Sequence, residues 1–203
     1  MLFNDVLWEQ KLKINTEGRD ESCSDEHHQP YQPTYYAVLE RIASTGIINK
    51  NSVLVDYGCG KGRVLYFMFH SFGCRCIGIE REDKFFNAAI RNMTSYVDRR
   101  RVGDSISFIQ TDAEKYEVPA EADTFFFFNP FSVNILMGTM QRIMDSYYEN
   151  PRRLKFIFYY ILPETDVYLS YIPELKLVYE INMHEAVESR DKRHVLRMYM
   201  IDS

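Results

Sequence analysis

The sequence predicts an α/β fold: one mixed sheet of seven strands, five parallel plus a C-terminal antiparallel pair, with helices on both faces. Three observations lead there. Short apolar runs, rich in β-branched and aromatic residues, alternate with stretches of helical periodicity from residue 34 to residue 160, the pattern of a parallel sheet covered on both sides. The last two apolar runs, Leu175 to Ile181 and Val195 to Ile201, have only a charged, helix-poor stretch between them, which reads as a hairpin added to one sheet edge. Composition permits a packed core: 46% of the 203 residues are hydrophobic and 15% are aromatic, which excludes disorder for most of the chain.

The elements follow in order. Residues 1–33 divide into an apolar patch (Leu2, Phe3, Val6, Leu7, Trp8) and a polar, acidic stretch from Asn15 to Gln29, together an arm or linker ahead of a domain at 34–203. The patch would dock on the domain or on a second chain. Thr34 is a candidate N-cap for a helix with Tyr35, Val38, Leu39 and Ile42 on one side, ended by Gly46. Val53-Leu54-Val55 is the first strand, and a helix carrying Val64, Leu65, Phe67, Met68 and Phe72 follows, closed by Gly73. Arg75 to Ile79 is the second strand; Asp83 opens a helix with Phe85, Phe86, Ala89, Ile90, Met93 and Val97 at helical spacing. Ile106–Ile109 and Phe125–Phe128 are the third and fourth strands, Ser132 caps a helix through Tyr147, and Leu154–Tyr160 is the fifth.

The chemistry concentrates where strands end. The first runs through Asp56 into Gly58-Cys59-Gly60-Lys61-Gly62, with a helix immediately after. In open α/β sheets, ligands bind beyond the carboxyl ends of the strands, where strand order reverses. Glycines there allow a ligand to approach the backbone. Glu80 ends the second strand, where an acid can accept hydrogen bonds from ribose hydroxyls. Asp112 follows the third strand within Gln110-Thr111-Asp112-Ala113, placed to accept from an adenine amino group. Three acids and a glycine turn outline one nucleoside pocket. A nicotinamide dinucleotide requires Gly-x-Gly-x-x-Gly, whereas here the third glycine falls one place early, at Gly62, and Arg63 stands in its place.

On these residues the chain resembles the class I, Rossmann-like S-adenosylmethionine-dependent methyltransferases, over roughly residues 34 to 201. The resemblance implies that Asp56, Gly58, Cys59, Gly60 and Gly62 cradle the methionine part of S-adenosylmethionine. It further implies that Glu80 binds the ribose, that Asp112 and the backbone of Ala113 read the adenine, and that S-adenosylhomocysteine is the product. Lys61 is expected to point outward into solvent. Asp112→Ala is expected to weaken cofactor binding by about 1–3 kcal/mol, the cost of an unpaired buried polar group.

The fourth strand ends in Phe128-Asn129-Pro130-Phe131-Ser132. The Asn129 amide oxygen and the Pro130 carbonyl can hold two N–H bonds of an amine and aim its lone pair at a methyl group, with Phe131 as an apolar wall. The segment looks like the Asn-Pro-Pro-aromatic motif of amino methyltransferases, without the second proline and with the aromatic one position early. With Tyr31, Pro33, Thr34 and Tyr35 ahead of the first core helix, it also looks like a lysine-methyltransferase arrangement in which Tyr31 and Thr34 fold over the cofactor. Asn129, Pro130 and Phe131 are therefore the candidate catalytic residues, with Asn129 also touching the cofactor. A target lysine must be neutral to attack, which burial against Phe127, Phe131, Tyr159 and Tyr160 would favour. The expected function is N-methylation of an amino group on a macromolecule, a protein lysine first. A nucleobase amino group, or a non-catalytic S-adenosylmethionine-binding domain acting through a partner, are the alternatives.

The remaining features exclude more than they assign. A net charge of −5 argues against non-specific nucleic-acid binding, and Arg99-Arg100-Arg101 reads as a solvated helix end. Cys23, Cys59, Cys74 and Cys76 form no CxxC pair, so free thiols and no metal are expected, and His27-His28 reads as part of a polar linker. No apolar run approaches the roughly 18 residues needed to span a bilayer, and residues 1–5 do not resemble a secretory signal. A soluble cytoplasmic chain is expected.

Overall fold

The computed structural model describes residues 3–202. Its seven strands are β1 (Val53–Tyr57), β2 (Arg75–Glu80), β3 (Ile106–Gln110), β4 (Thr124–Phe128), β5 (Leu154–Tyr159), β6 (Lys176–Asn182) and β7 (Val195–Ile201). They form one sheet in the order β3-β2-β1-β4-β5-β7-β6. Strands β1 to β5 pair in parallel, and β7 runs antiparallel to both β5 and β6. The expected topology is present. It is the last strand, not the first of the terminal pair, that lies against β5. Burial explains the choice: Leu196, Met198 and Ile201 are all buried, whereas β6 is exposed at nearly every position. Lys176, Glu180 and Asn182 suit the sheet edge.

The four-phenylalanine run of β4 shows how strand period distributes the core. Phe125 and Phe127 face one side of the sheet, packed with Val55, Tyr57, Phe156 and Phe158. Phe126 and Phe128 face the other, with Leu54, Ile157 and Tyr159. The first side is covered by α6 (Val133–Glu149) and α7 (Pro163–Ser170). The second is covered by α2 (Tyr36–Ser44) and α3 (Arg63–Phe72), with α4 (Asp83–Ser95) beside α3 through the Tyr66 hydroxyl, which donates to Ala89 O at 2.7 Å. Helix α7 was not expected. Only Thr165 and Leu169 of it are buried, so it has no apolar stripe to read.

Three local expectations are corrected. Thr34 does not cap α2; the helix begins at Tyr36, whose N–H donates to the Asp5 carboxylate at 2.9 Å. The cap thus comes from α1 (Phe3–Leu12), far away in the chain. Ser132 precedes α6 but makes no side-chain cap bond. In α4, Ile90 stays exposed, Val97 lies beyond the helix end and is exposed too, and Asn92 turns inward, donating to the backbone carbonyls of Asn15 and Lys61, because the end of α4 faces the N-terminal segment. Arg99–Val102 forms a four-residue helix, α5, with its three arginines exposed as expected.

The N-terminal segment is fastened to the domain. Leu12 and Ile14 belong to the same core cluster as α2 and α3. Trp8 stacks on Tyr36 at 5.7 Å, meets Phe67 edge-on at 4.8 Å and donates from Nε1 to Glu40, so it docks on its own chain. Leu7 stays exposed, and Leu2 lies outside the described residues. Beneath this helix is a buried polar knot. The Arg63 guanidinium donates to Thr16 Oγ1 at 2.6 Å and Thr34 O at 3.0 Å and lies 3.2 Å from Glu9 and 3.7 Å from Asp5. Glu9 also accepts from Thr16 N–H, Thr16 Oγ1 and the Tyr36 hydroxyl. No helix among the described residues is long and apolar enough to cross a membrane.

Candidate functional site

Strand order reverses between β1 and β4, and a cavity of about 390 Å³ opens beyond the carboxyl ends of the strands there. The β1–α3 turn forms its floor. Gly58 N–H and Cys59 N–H both donate to Ile79 O, at 2.9 and 3.0 Å, pinning the turn to β2. Gly58 has φ +74°, and a Cβ there would lie 2.6 Å from Pro130 Cβ; the glycine lets the turn after β4 close onto the turn after β1. Gly60, at φ +56°, does the same for the Tyr31 ring, which a Cβ would meet at 2.3 Å.

Of the expected ligand-binding residues, Tyr31, Thr34, Asp56, Gly58, Cys59, Glu80, Asp112, Ala113, Asn129, Pro130 and Phe131 all line this cavity. Gly60 sits just behind it, its N–H donated to Glu80 Oε2 at 2.8 Å. Gly62 is elsewhere: it packs against Phe108 and Tyr66 and closes the helix onto the sheet. Lys61 does not point into solvent. Its ammonium donates to Glu17 O at 2.6 Å and stands 4.7 Å from the Tyr31 ring centroid.

The acids differ sharply in their surroundings. Asp56 is buried, and its Oδ2 has no hydrogen-bond partner. Burial, and then the charge of Glu80, push its pKa well above the ordinary carboxylate range. Glu80 is also raised by burial, but it accepts from Glu82 N–H at 2.9 Å as well as from Gly60, bonds that favour its ionised form. Asp112 is a correction. Its side chain is 39% exposed and paired with the Lys115 ammonium at 2.6 Å, which lowers its pKa, so the cost of an unpaired buried group does not apply to it. The Cys59 thiol is pushed up by burial and stays protonated.

Asp56 therefore costs the folded protein stability. The folded carboxyl holds its proton more tightly than the unfolded one, which titrates near about 4, so this group's contribution becomes unfavourable as pH rises through and above that value. Asp56→Asn is expected to stabilise the protein at pH 8 and not at pH 4. Urea unfolding at the two pH values tests this; equal effects at both would show that the charge is not the cause.

The turn after β4 is held by a segment the sequence left as linker. Ser132 N–H donates to His27 O at 2.7 Å and Gln29 N–H to Pro130 O at 3.2 Å, with His28 bridged to Phe131. The Pro130 carbonyl thus accepts one bond and keeps its second lone pair. Asn129, in the left-handed region at φ +39°, lines the cavity. Residues 28–31 line the cavity. Tyr31 stacks on Phe85 at 4.7 Å and its hydroxyl donates to Thr16 O at 2.5 Å; exchanged backbone bonds link Tyr31 to Asp20, which pairs with Lys84. The apolar wall is Phe126, Phe128 and Phe131. Phe127 is turned away, stacked between Tyr57 and Phe158 at 5.1 and 4.8 Å. Phe128 and Arg63 were missed; strand parity points to Phe128 once β4 is placed, but nothing local marks Arg63.

All four cysteines are free. Among the described residues no group of three or more His, Cys, Asp or Glu side chains is arranged to hold a metal ion, and His28 pairs with Asp25 at 2.8 Å.

No protein-family model matches the chain. A protein-lysine N-methyltransferase of Saccharolobus islandicus is 28% identical over 67 residues, 32% of this chain and 42% of that protein. The match thus spans less than half of the relative. Among solved structures, an RNA methyltransferase from Salinibacter ruber in complex with S-adenosyl-L-homocysteine superposes with a TM-score of 0.54 at 18% identity, covering 84% of this chain and 92% of the other. The magnesium protoporphyrin IX methyltransferase of Synechocystis PCC 6803, with S-adenosylmethionine bound, superposes with a TM-score of 0.57 at 14% identity, covering 83% of this chain and 77% of the other. Strand order, the parallel and antiparallel pairing and these likenesses agree: the chain has the fold of the class I, Rossmann-like S-adenosylmethionine-dependent methyltransferases.

Proposed function

We propose that the protein is an S-adenosylmethionine-dependent methyltransferase that transfers the methyl group to an amine on a macromolecule, a protein lysine before a nucleobase. The observation that carries the cofactor reading is Asp56: a buried carboxylate with an unpartnered oxygen, on the wall of a cavity at the switch point. A carboxylate left unpaired in such a place is stable only at a cost, and a ligand ammonium there removes that cost. The residues present fit the group. Asp56 would take the amino group of the methionine moiety, the free lone pairs of Glu80 the ribose hydroxyls, and Asp112 with the Ala113 backbone the adenine. Residues 1–33 would cap a cofactor-binding domain of residues 34–203, with Tyr31 and Thr34 as the roof.

When bound, the cofactor supplies an electrophilic methyl group on a sulfonium. The protein's part is positioning and exclusion of water. Asn129 Oδ1 would accept an N–H of the incoming amine and aim its lone pair. Phe131 and Phe128 would desolvate the amine, lowering its pKa so that the neutral form is present to react. Support for a protein amine comes from the Asn-Pro-Phe turn and from the partial likeness to a protein-lysine methyltransferase.

Calorimetric titration with S-adenosylmethionine, S-adenosylhomocysteine and NAD tests the cofactor. Micromolar binding of the first two with none of NAD is expected; NAD binding alone would overturn the reading. Transfer of labelled methyl groups to protein and RNA extracts then separates the acceptors, with label in protein expected and label confined to RNA favouring a nucleobase. Because Asp112 is half-exposed and already paired, Asp112→Asn should weaken cofactor binding by only about 1 kcal/mol, roughly fivefold. A loss of a hundredfold would mean that the Lys115 pair breaks and the carboxylate turns inward on binding.

A further inference from the structure

Behind the Asn129-Pro130-Phe131 turn lies a second, smaller cavity of about 20 Å³, which shares those three residues with the first and is otherwise lined by Tyr160 and Thr165 together with apolar and aromatic side chains of Phe127, Leu136, Phe158, Tyr159 and Ile161. It has room for one small group. Two non-glycine residues flank it in the left-handed backbone region: Asn129 at φ +39° and Tyr160 at φ +60°. They follow adjacent parallel strands, β4 and β5, whose last residues Phe128 and Tyr159 are register partners. A bulky residue with positive φ is uncommon and persists only where its surroundings hold it.

What holds Tyr160 is the loop between β6 and β7. The Tyr160 hydroxyl donates to Asp191 Oδ2 at 2.6 Å, and its N–H donates to Val195 O at 3.1 Å. Arg193 bonds both Asp191 oxygens, from Nε at 2.9 and 3.1 Å and from Nη2 at 2.7 Å, and stands 4.8 Å from the Tyr160 ring centroid. Neither Asp191 nor Arg193 lines the small cavity. Since Arg193 neutralises Asp191, the pair acts as a brace on the ring and not as a counter-ion for an incoming cation.

Resting on the methyltransferase reading above, we propose that Tyr160 is a specificity-determining acceptor contact, that Asp191 is its positioning residue, and that the cavity between Tyr160 and Asn129 admits the terminal aminomethylene of an unbranched chain in preference to a planar base. The tyrosine ring and Phe131 would flank the alkyl end while Asn129, shared by both cavities, meets the nitrogen.

The test uses the whole chain saturated with S-adenosylhomocysteine and titrated calorimetrically with n-butylamine and, separately, with adenosine. The variants are Tyr160→Asn, which tolerates the left-handed backbone, Tyr160→Phe, Asp191→Ala and the Tyr160→Phe/Asp191→Ala pair. We expect n-butylamine to bind the parent protein and adenosine not to. Tyr160→Asn should weaken the amine about tenfold, the loss expected for an aromatic wall against an alkylammonium. Tyr160→Phe and Asp191→Ala should each weaken it about threefold, and the pair no further, because both remove the same bond. S-adenosylhomocysteine affinity should be unchanged throughout, which also reports correct folding. Equal amine binding in the parent and Tyr160→Asn, no amine binding to the parent, or preferential binding of adenosine would each overturn the proposal and leave the cofactor reading standing. Failure of the parent to bind S-adenosylhomocysteine would overturn both.

Discussion

Asn129→Gly is expected to lower the rate of methyl transfer by about 100-fold or more, in line with removal of one preorganised polar group at a reacting centre, while cofactor affinity stays within about threefold of the parent. Glycine is the informative substitution because Asn129 sits at φ +39°; alanine there would add backbone strain and confuse loss of the amide with displacement of the turn. The Pro130 carbonyl accepts from Gln29 N–H and keeps one lone pair, so it can share with the Asn129 side chain the work of orienting an amine. Rates from labelled-methyl incorporation, with calorimetry for the cofactor, check it. Unchanged turnover would remove Asn129 from the reaction, and a parallel collapse of cofactor affinity would make it a binding residue only.

Arg63→Met should have the largest effect on stability. Arg63 is 4% exposed and faces two buried carboxylates, Glu9 at 3.2 Å and Asp5 at 3.7 Å. Removing one partner of a buried ionic group leaves uncompensated charge, at a cost of about 3–5 kcal/mol, or roughly 10 °C in Tm for a chain of this size. The same substitution releases Thr16 and the Thr34 carbonyl, which hold the ends of the roof over the cavity, so cofactor binding should weaken as well. Combining it with Asp5→Asn and Glu9→Gln should recover part of the stability, since no unpaired charge then remains. Thermal unfolding of the parent, the single and the triple variant decides the matter; a single substitution that costs less than about 1 kcal/mol would mean that water reaches the cluster.

Much of the site was legible because its chemistry is local. Asp56, Glu80 and Asp112 each follow a strand that can be read from its own apolar run, and a parallel sheet with right-handed crossovers brings such strand ends to one edge. The same argument placed Asn129. It could not place residues whose partners are distant in the chain. Asp5 caps a helix 31 residues later, and nothing in the residues around Arg63 announces the two carboxylates of α1 that it meets. Residues 20–31 looked like linker because they bury little apolar surface. What orders them is backbone pairing to Tyr31, Pro130 and Ser132, and ladder bonds leave no trace in composition.

The sequence by itself determined the fold class, the five parallel strands, the position of the glycine turn and the three acids at its rim, because periodicity of two or 3.6 and a strand-ending acid are properties of contiguous residues. Tertiary structure alone decided which hairpin strand was buried, that Gly62 packs a helix while Gly58 and Gly60 make room for Pro130 and Tyr31, and that Asp112 is paired while Asp56 is not. Those outcomes depend on desolvation and on charges brought together across the chain, and neither exists until the chain has folded.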